Sequence, residues 1–260
     1  MKRLNKIALL LLVFILVIFS CTTSKNVTKE QEKTSFLSQD KMGNLYQISD
    51  MKITKYSSDL KPIQSNSIFS NGTIASFDSR NPLQLMLFYK QQQEIILLDN
   101  TLSQTNKIDL NSFELIDLAC GSNRDNSFWL YSITTQTLMK TDKVGKVTNE
   151  YKNIAQLVER DINPTQLLEY ENQVYLFDPN EGLFVFDLYG NYVKRYLLRG
   201  AEIVKFSQYQ IFYKVHKQIK SLDLLSLDEK IILESDIDFD DFIVGKKGVS
   251  ILSNNTIIQK

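Results

Sequence analysis

One histidine, two cysteines, four prolines, nine glycines and a single tryptophan are all that these 260 residues contain. Each scarcity excludes something. Three Cys and His side chains in total are too few for a zinc site of the Cys/His type. A Ser-His-Asp nucleophile would have to use His216, and no Gly-x-Ser-x-Gly accompanies it. His216 lies among lysines in "YKVHKQIK", which reads as a solvated turn. Charge of one sign is also missing. Thirty basic residues balance thirty acidic ones, so the basic excess of a nucleic-acid binder is absent. Helical periodicity is nearly absent too. Its one candidate, Asn153–Ile162, is short and reads as a long connection. No phosphate loop or dinucleotide fingerprint occurs, and no cofactor is expected.

What is present is aromatic and alternating. Fifteen phenylalanines and twelve tyrosines fall in short stretches of period two, which favours β-structure. In "LFVFDLYGNYVKRYLL", from Leu183, one alternating strand runs into Asp187, a polar turn follows, and a second strand leaves it. The same unit starts at Ile53, Ile96, Thr137 and Ile219. Its anchor residues are Ser57, Asp99, Asp142, Asp187 and Asp223, spaced 42, 43, 45 and 36 apart. Asp and Asn suit such positions because they hydrogen-bond the backbone of their own turn. Two further alternating segments precede each of the last four anchors, for example Leu83–Lys90 before Asp99 and Gln173–Asp178 before Asp187. Four strands per forty-odd residues are the mark of a β-propeller blade. Residues 34–260 are therefore read as an all-β domain, a six-bladed β-propeller of four-stranded antiparallel blades. The last blade runs out after three strands, and an N-terminal segment is expected to supply its fourth.

The first twenty residues carry an address. Lys2, Arg3 and Lys6 precede an apolar run from Ile7 to Phe19, too short to span a bilayer stably. Ile18-Phe19-Ser20-Cys21 resembles the bacterial lipobox. Leader and repeat pattern together resemble bacterial lipoproteins that carry a six-bladed propeller, although the blades hold no Trp-Asp dipeptide of the WD-repeat class. The resemblance implies a signal peptide over 1–20, cleavage before Cys21, and lipid on the Cys21 thiol. Several acyl chains anchor stably where one is marginal. The mature chain would hold 27 basic and 30 acidic side chains. Residues 21–33 contain one apolar side chain beyond the cysteine, Val27, and read as a disordered tether. With no acidic cluster behind Cys21, the resemblance favours the periplasmic side of the outer membrane.

Chemistry is harder to find. Asp236, Asp238 and Asp240 in "SDIDFDDF" would share one face of a strand, a weak candidate for a hard cation. "DPNEG", from Asp178, lacks the later bidentate glutamate of a calcium loop and reads as a turn. Cys120 reads as a small buried hydrophobe, and Trp129 and Tyr131 as blade core. Three functions follow. The leading one is a non-enzymatic interaction module, a tethered monomer that presents a loop-built face to another envelope protein. The others are a propeller that binds a glycan or small ligand, and a metal-dependent hydrolase or lyase using Asp117, Asp238 and Asp240 at the channel.

Overall fold

The computed structural model describes residues 35–49, 52–67, 72–122 and 124–260. The leader, Cys21 and the tether lie outside them. Twenty-three strands form six antiparallel sheets in the order of the chain. Blade 1 is β1 (Phe36–Gln39), β2 (Leu45–Ser49), β3 (Lys52–Tyr56) and β4 (Pro62–Ser67). Blade 2 is β5 (Ser76–Asp78), β6 (Leu85–Tyr89), β7 (Glu94–Leu98) and β8 (Gln104–Asp109). Blade 3 is β9 (Leu118–Gly121), β10 (Phe128–Ser132), β11 (Thr137–Thr141) and β12 (Val147–Tyr151). Blade 4 is β13 (Gln166–Tyr170), β14 (Gln173–Asp178), β15 (Gly182–Asp187) and β16 (Tyr192–Tyr196). Blade 5 is β17 (Ile203–Ser207), β18 (Gln210–Val215), β19 (Gln218–Asp223) and β20 (Glu229–Glu234). Blade 6 is β21 (Asp241–Gly245), β22 (Gly248–Ser253) and β23 (Thr256–Gln259). One helical turn, α1 (Ile154–Leu157), interrupts the long connection from β12 to β13.

The anchors predicted from the repeat each close the hairpin between a third and a fourth strand. Asp187 Oδ1 accepts the N–H groups of Tyr189 (2.8 Å) and Asn191 (2.9 Å). Asp142 takes Val144 and Lys146, Asp99 takes Thr101 and Ser103, and Asp223 takes Leu225 and Ser226. Ser57 does the same less tightly, at 3.3 Å. Each hairpin turns through one left-handed residue: Leu60, Leu102, Gly145, Gly190 or Leu227. A bulge lies beside the turn in blades 1 to 4, and farther along, between Ile219 and Lys220, in blade 5. That repeated geometry is why a polar anchor every forty residues marks a blade.

Middle strands are buried along their length while outer strands are open to solvent. β6 and β10 are buried at all five positions, whereas five of the six residues of β4 and of β8 are exposed. A sheet whose two faces are both covered needs a neighbour on each side. Six apolar clusters supply this, one between each pair of neighbouring blades. Between blades 3 and 4, for instance, Trp129 and Tyr131 pack with Val174, Phe184 and Phe186. The cluster between blades 6 and 1 is the smallest, with only Leu37, Leu45 and Leu252 fully buried.

The ring closes differently from the sequence expectation. Residues 36–39 form the innermost strand of blade 1 instead of joining blade 6, which has three strands among the described residues. β1 lies against β21 as one innermost strand beside another. A strand at the centre reaches both neighbours through side chains, so closure needs no shared sheet.

Turns between first and second strands share one face of the ring with the anchor turns. Leu224 N–H bonds Tyr209 O (3.1 Å), and Lys247 pairs with Asp59. This is the anchor-turn face. The other face, the connection face, carries the links between blades. On the anchor-turn face Gln208 and Tyr209 are both left-handed, with φ of 49° and 60°. Such a turn suits Asn-Gly, and an aromatic residue there is strained. Tyr209→Gly should raise the unfolding free energy by about 0.5–1 kcal/mol, read in urea denaturation.

Candidate functional site: the central channel

Six innermost strands, β1, β5, β9, β13, β17 and β21, surround a cavity of about 770 Å³. Half-buried apolar side chains from several blades line its walls, among them Phe36, Leu118, Leu168, Ile203 and Ile243. Strand alternation brings them there: one face of each short strand looks inward and the other packs in its own blade. Set among them are charged groups, and their partners define what the channel can do.

At the seam of blades 2 and 3, Asp78 and Arg80 form a two-pronged pair. Asp78 Oδ2 also accepts the Gly121 N–H (3.1 Å), and Arg80 donates to Gly121 O (2.9 Å). Between blades 3 and 4, Trp129 Nε1–H donates to Glu169 Oε2 at 2.7 Å. Lys205, on blade 5, donates to Asp241 Oδ2 of blade 6 and to Leu37 O of blade 1, both at 3.0 Å. The same Asp241 oxygen accepts the Leu37 N–H at 2.8 Å. Ser38 with Ser79 (2.7 Å) and Val204 N–H with Gln166 Oε1 (2.8 Å) complete the ring. Every one of the six seams is crossed by a polar bond at or beside its innermost strands. A charge in a poorly solvated wall costs free energy unless paired, so pairing across a seam stabilises the charge and fixes the neighbouring blade.

Burial alone would raise the Asp78 carboxyl. The Arg80 guanidinium, helped by the N–H groups of Arg80 and Gly121, overrides burial and holds it below its ordinary 3.8. The native value is thus lower than the unfolded one. Asp78 contributes stability above the ordinary carboxylate value, and that contribution is lost as pH falls through the lower native value. The thermal midpoint of the native chain should therefore fall on acidification below about pH 4, and Asp78→Asn should flatten that fall.

Cys120 is buried in the same wall. Burial pushes its thiol well above the ordinary range, the Arg80 charge pulls the other way, and Asp78 and Glu169 reinforce the rise. The nucleophile is the thiolate, so a thiol reagent should modify Cys120 in urea and leave it intact in the native protein over the same period. Intact-mass measurement of the 115–125 region after proteolysis reads this directly.

The sequence-derived candidates do not converge. Asp236, Asp238 and Asp240 sit in the irregular connection between β20 and β21, not on one strand face. Ser235 turns this segment by bonding both the N–H and the carbonyl of Ile237. Phe239 is buried and the three aspartates are exposed; Asp240, like Asp117, lines the channel, whereas Asp236 and Asp238 do not. Asp238 lies 3.8 Å from Lys214 and accepts the Phe239 N–H. Asp117 is buried, held by Lys90 and by the Ile133 N–H, both at 2.7 Å. Among the described residues no three His, Cys, Asp or Glu side chains are placed to hold a metal ion. The side chain of His216 is 89% exposed in the turn from β18 to β19, 3.5 Å from Glu202. Asp178 anchors its turn by accepting three backbone N–H groups, those of Asn163, Asn180 and Glu181. Trp129 and Tyr131 are core residues.

Lys205, Asp241, Arg80 and Glu169 escaped the sequence reading. The one available signal was a charged residue inside a first strand, as in "EIVKFS" and "LLEYE", where alternation calls for an apolar or small residue.

No family model and no curated protein sequence matches the chain. Solved structures do resemble it in shape. The WD40 domain of Pan2 from Neurospora crassa superposes with a TM-score of 0.56 at 10% identity, over 86% of this chain and 87% of that one. Virginiamycin B lyase from Staphylococcus aureus superposes with a TM-score of 0.58. For its catalytically inactive form with quinupristin, identity is 11% over 88% of this chain and 85% of that chain. For its selenomethionine form, identity is 12% over 89% and 85%. At such identities the likeness concerns the fold alone. With the strand order above, it makes the chain a six-bladed β-propeller, a fold that commonly mediates protein interactions.

Proposed function

We propose that this chain is a lipid-tethered propeller of the bacterial cell envelope, held at the outer membrane through Cys21, facing the periplasm and binding another envelope protein without catalysing a reaction. The observation that carries the non-enzymatic part is the state of the channel's charges. Asp78 and Arg80, through Gly121, and Glu169, Lys205 and Asp241 are each engaged in bonds that join blades. Bonds that cross a seam account for these charges as parts of the scaffold, which supports a structural role for them. The tethering part rests on the leader and lipobox of the sequence.

The test is made on the full chain in a bacterial host. The mass of the N-terminal peptide reports acylation at Cys21, and in-membrane crosslinking followed by purification reports partners. The expected result is a diacylglyceryl-modified Cys21 and one reproducible crosslinked envelope protein. An unmodified, leader-bearing chain, or no reproducible partner, would contradict the proposal.

A further inference from the structure

Six half-buried apolar side chains from five blades line the channel: Phe36, Leu118, Leu168, Ile203, Phe206 and Ile243. Their seam-facing neighbours, such as Leu167 and Val204, are packed in the clusters between blades. The six are not, and part of their surface borders a cavity of about 770 Å³. That volume falls within the roughly 300–1,000 Å³ usual for small-molecule sites. Apolar surface bordering an empty space lacks contacts that a ligand of matching polarity would supply.

The charges of the wall decide the polarity of that ligand. Eight carboxylates line the channel, and six cations stand against them. Four of the cations belong to the lining; the other two, Lys90 and Lys214, reach Asp117 and Glu202 from outside it. Along the innermost strands every charge is already committed. Asp78 holds Arg80, Asp241 holds Lys205, and Glu169 accepts the Trp129 N–H. Asp40, just after β1, is buried and accepts from the side chains of Asn44 and Tyr46. Lys41, Arg124 and Glu171 at one mouth and Asp240 at the other are exposed to solvent. A charged ligand in the middle of the channel would find no free counter-ion there, and taking one from the wall would open a seam. An uncharged ligand meets no such cost.

Two further features give the ligand a shape. On the anchor-turn side of blades 4 and 5, Tyr170 stacks on Phe206 with ring centres 5.0 Å apart and planes 20° from parallel. The Tyr170 hydroxyl oxygen accepts the Tyr209 N–H at 3.3 Å, and Gln208, the other residue of that turn, lines the channel. The corresponding turn of blade 4, Glu171–Asn172, is also left-handed at both positions, and it carries the asparagine such a turn favours. Blade 5 has a tyrosine there, 58% exposed, at a cost in stability. Strain kept at the rim of a cavity points to a use for the side chain. The second feature is Gln166. Its Oε1 is fixed by the Val204 N–H, so its Nε2 is the free end, half-buried in the channel wall and donating to no group among the described residues. We infer that the channel binds an uncharged small molecule with a flat apolar ring system and a hydrogen-bond acceptor, entering at the anchor-turn face past Tyr209. Tyr170 and Phe206 offer it an aromatic wall, and Gln166 offers the donor. This site goes beyond the tether and the protein partner and depends on neither.

Benzophenone is a probe of this class, two apolar rings on one carbonyl, and on irradiation it inserts into a neighbouring C–H bond. The purified full chain is irradiated with rising benzophenone, and the labelled peptides are identified by mass. The expected result is saturable labelling within 165–172 and 202–212, the channel-lining stretches of blades 4 and 5. The ions 4-benzoylbenzoate and (4-benzoylbenzyl)trimethylammonium add one charge of either sign to the same rings, and each should label those peptides about tenfold less at equal concentration. Leu168→Trp enlarges the wall into the cavity and should reduce labelling by about the same factor, with urea unfolding used to check that it folds. Tyr209→Gly keeps the test decisive if it does not. That variant should be more stable than the native chain and still label about threefold less, which damage to the fold would not produce. Labelling that does not saturate, that falls only on other peptides, that is indifferent to charge, or that a folded Leu168→Trp or Tyr209→Gly leaves unchanged would overturn the inference.

Discussion

Asp241→Ala should lower the unfolding free energy by about 3–5 kcal/mol, the cost of breaking a buried pair from one side. The size follows from where the residue sits. Its carboxylate is almost fully buried at the seam of blades 6 and 1. One oxygen holds the Leu37 N–H and the Lys205 ammonium, and the other holds the N–H of Phe242. Truncation leaves a half-buried ammonium with only Leu37 O and an innermost strand with an unbonded amide. The seam has little else to fall back on, since its apolar cluster is the smallest of the six. Its other polar ties include Gln47 Nε2 to Asn255 O (2.7 Å), Ser35 to Asn255 (2.9 Å) and, at the exposed rim, Lys247 with Asp59 and Ser58. Lys205→Met in the same background should cost less than the sum of the two single changes, because the double variant no longer strands a charge. Urea denaturation of the four proteins gives the cycle, and strict additivity would show that the pair is not coupled.

Trp129→Ala should cost a comparable amount, about 3–5 kcal/mol. Trp129 is the largest fully buried side chain, and it lies between blades 3 and 4 beside Tyr151, Phe184 and Phe186. Its removal opens a cavity and takes the indole N–H from Glu169. Trp129→Phe separates these contributions. It keeps most of the volume and loses the N–H, so it should fall between the native chain and Trp129→Ala. If Trp129→Phe were as damaging as Trp129→Ala, the hydrogen bond would carry nearly all of the loss and the packing argument would fail. Both are measured by far-ultraviolet circular dichroism, since the substitution removes the chain's only tryptophan.

The hairpins were legible in the sequence because their cause is local. An anchor at Asp142 bonds residues two and four positions on, so spacing and residue type suffice to find it. The blade count followed from repetition of that local event. Pattern failed where a loop imitates a strand. "DIDFD" alternates, yet Ser235 bends it, and burial of Phe239 alone accounts for the apolar position. The ring closure was read only in part. Leu37 and Asp241 are 204 positions apart, and nothing local distinguishes Asp241 from Asp240, its exposed neighbour. The channel's charged residues were hidden for the same reason, because each owes its place to a partner in another blade.

At the centre of this account is a ring that stands or falls as one body, closed through Asp241 at the seam farthest from Trp129. Urea unfolding of the native chain, followed at once by Trp129 fluorescence and by circular dichroism at a strand wavelength, tests it most directly when repeated on Asp241→Ala. Coincident curves in the native chain, moving together to lower urea in the variant, are the result foreseen. A tryptophan transition that stays where it was while the dichroism shifts would mean that blade 3 does not feel the seam, and would contradict the closed ring.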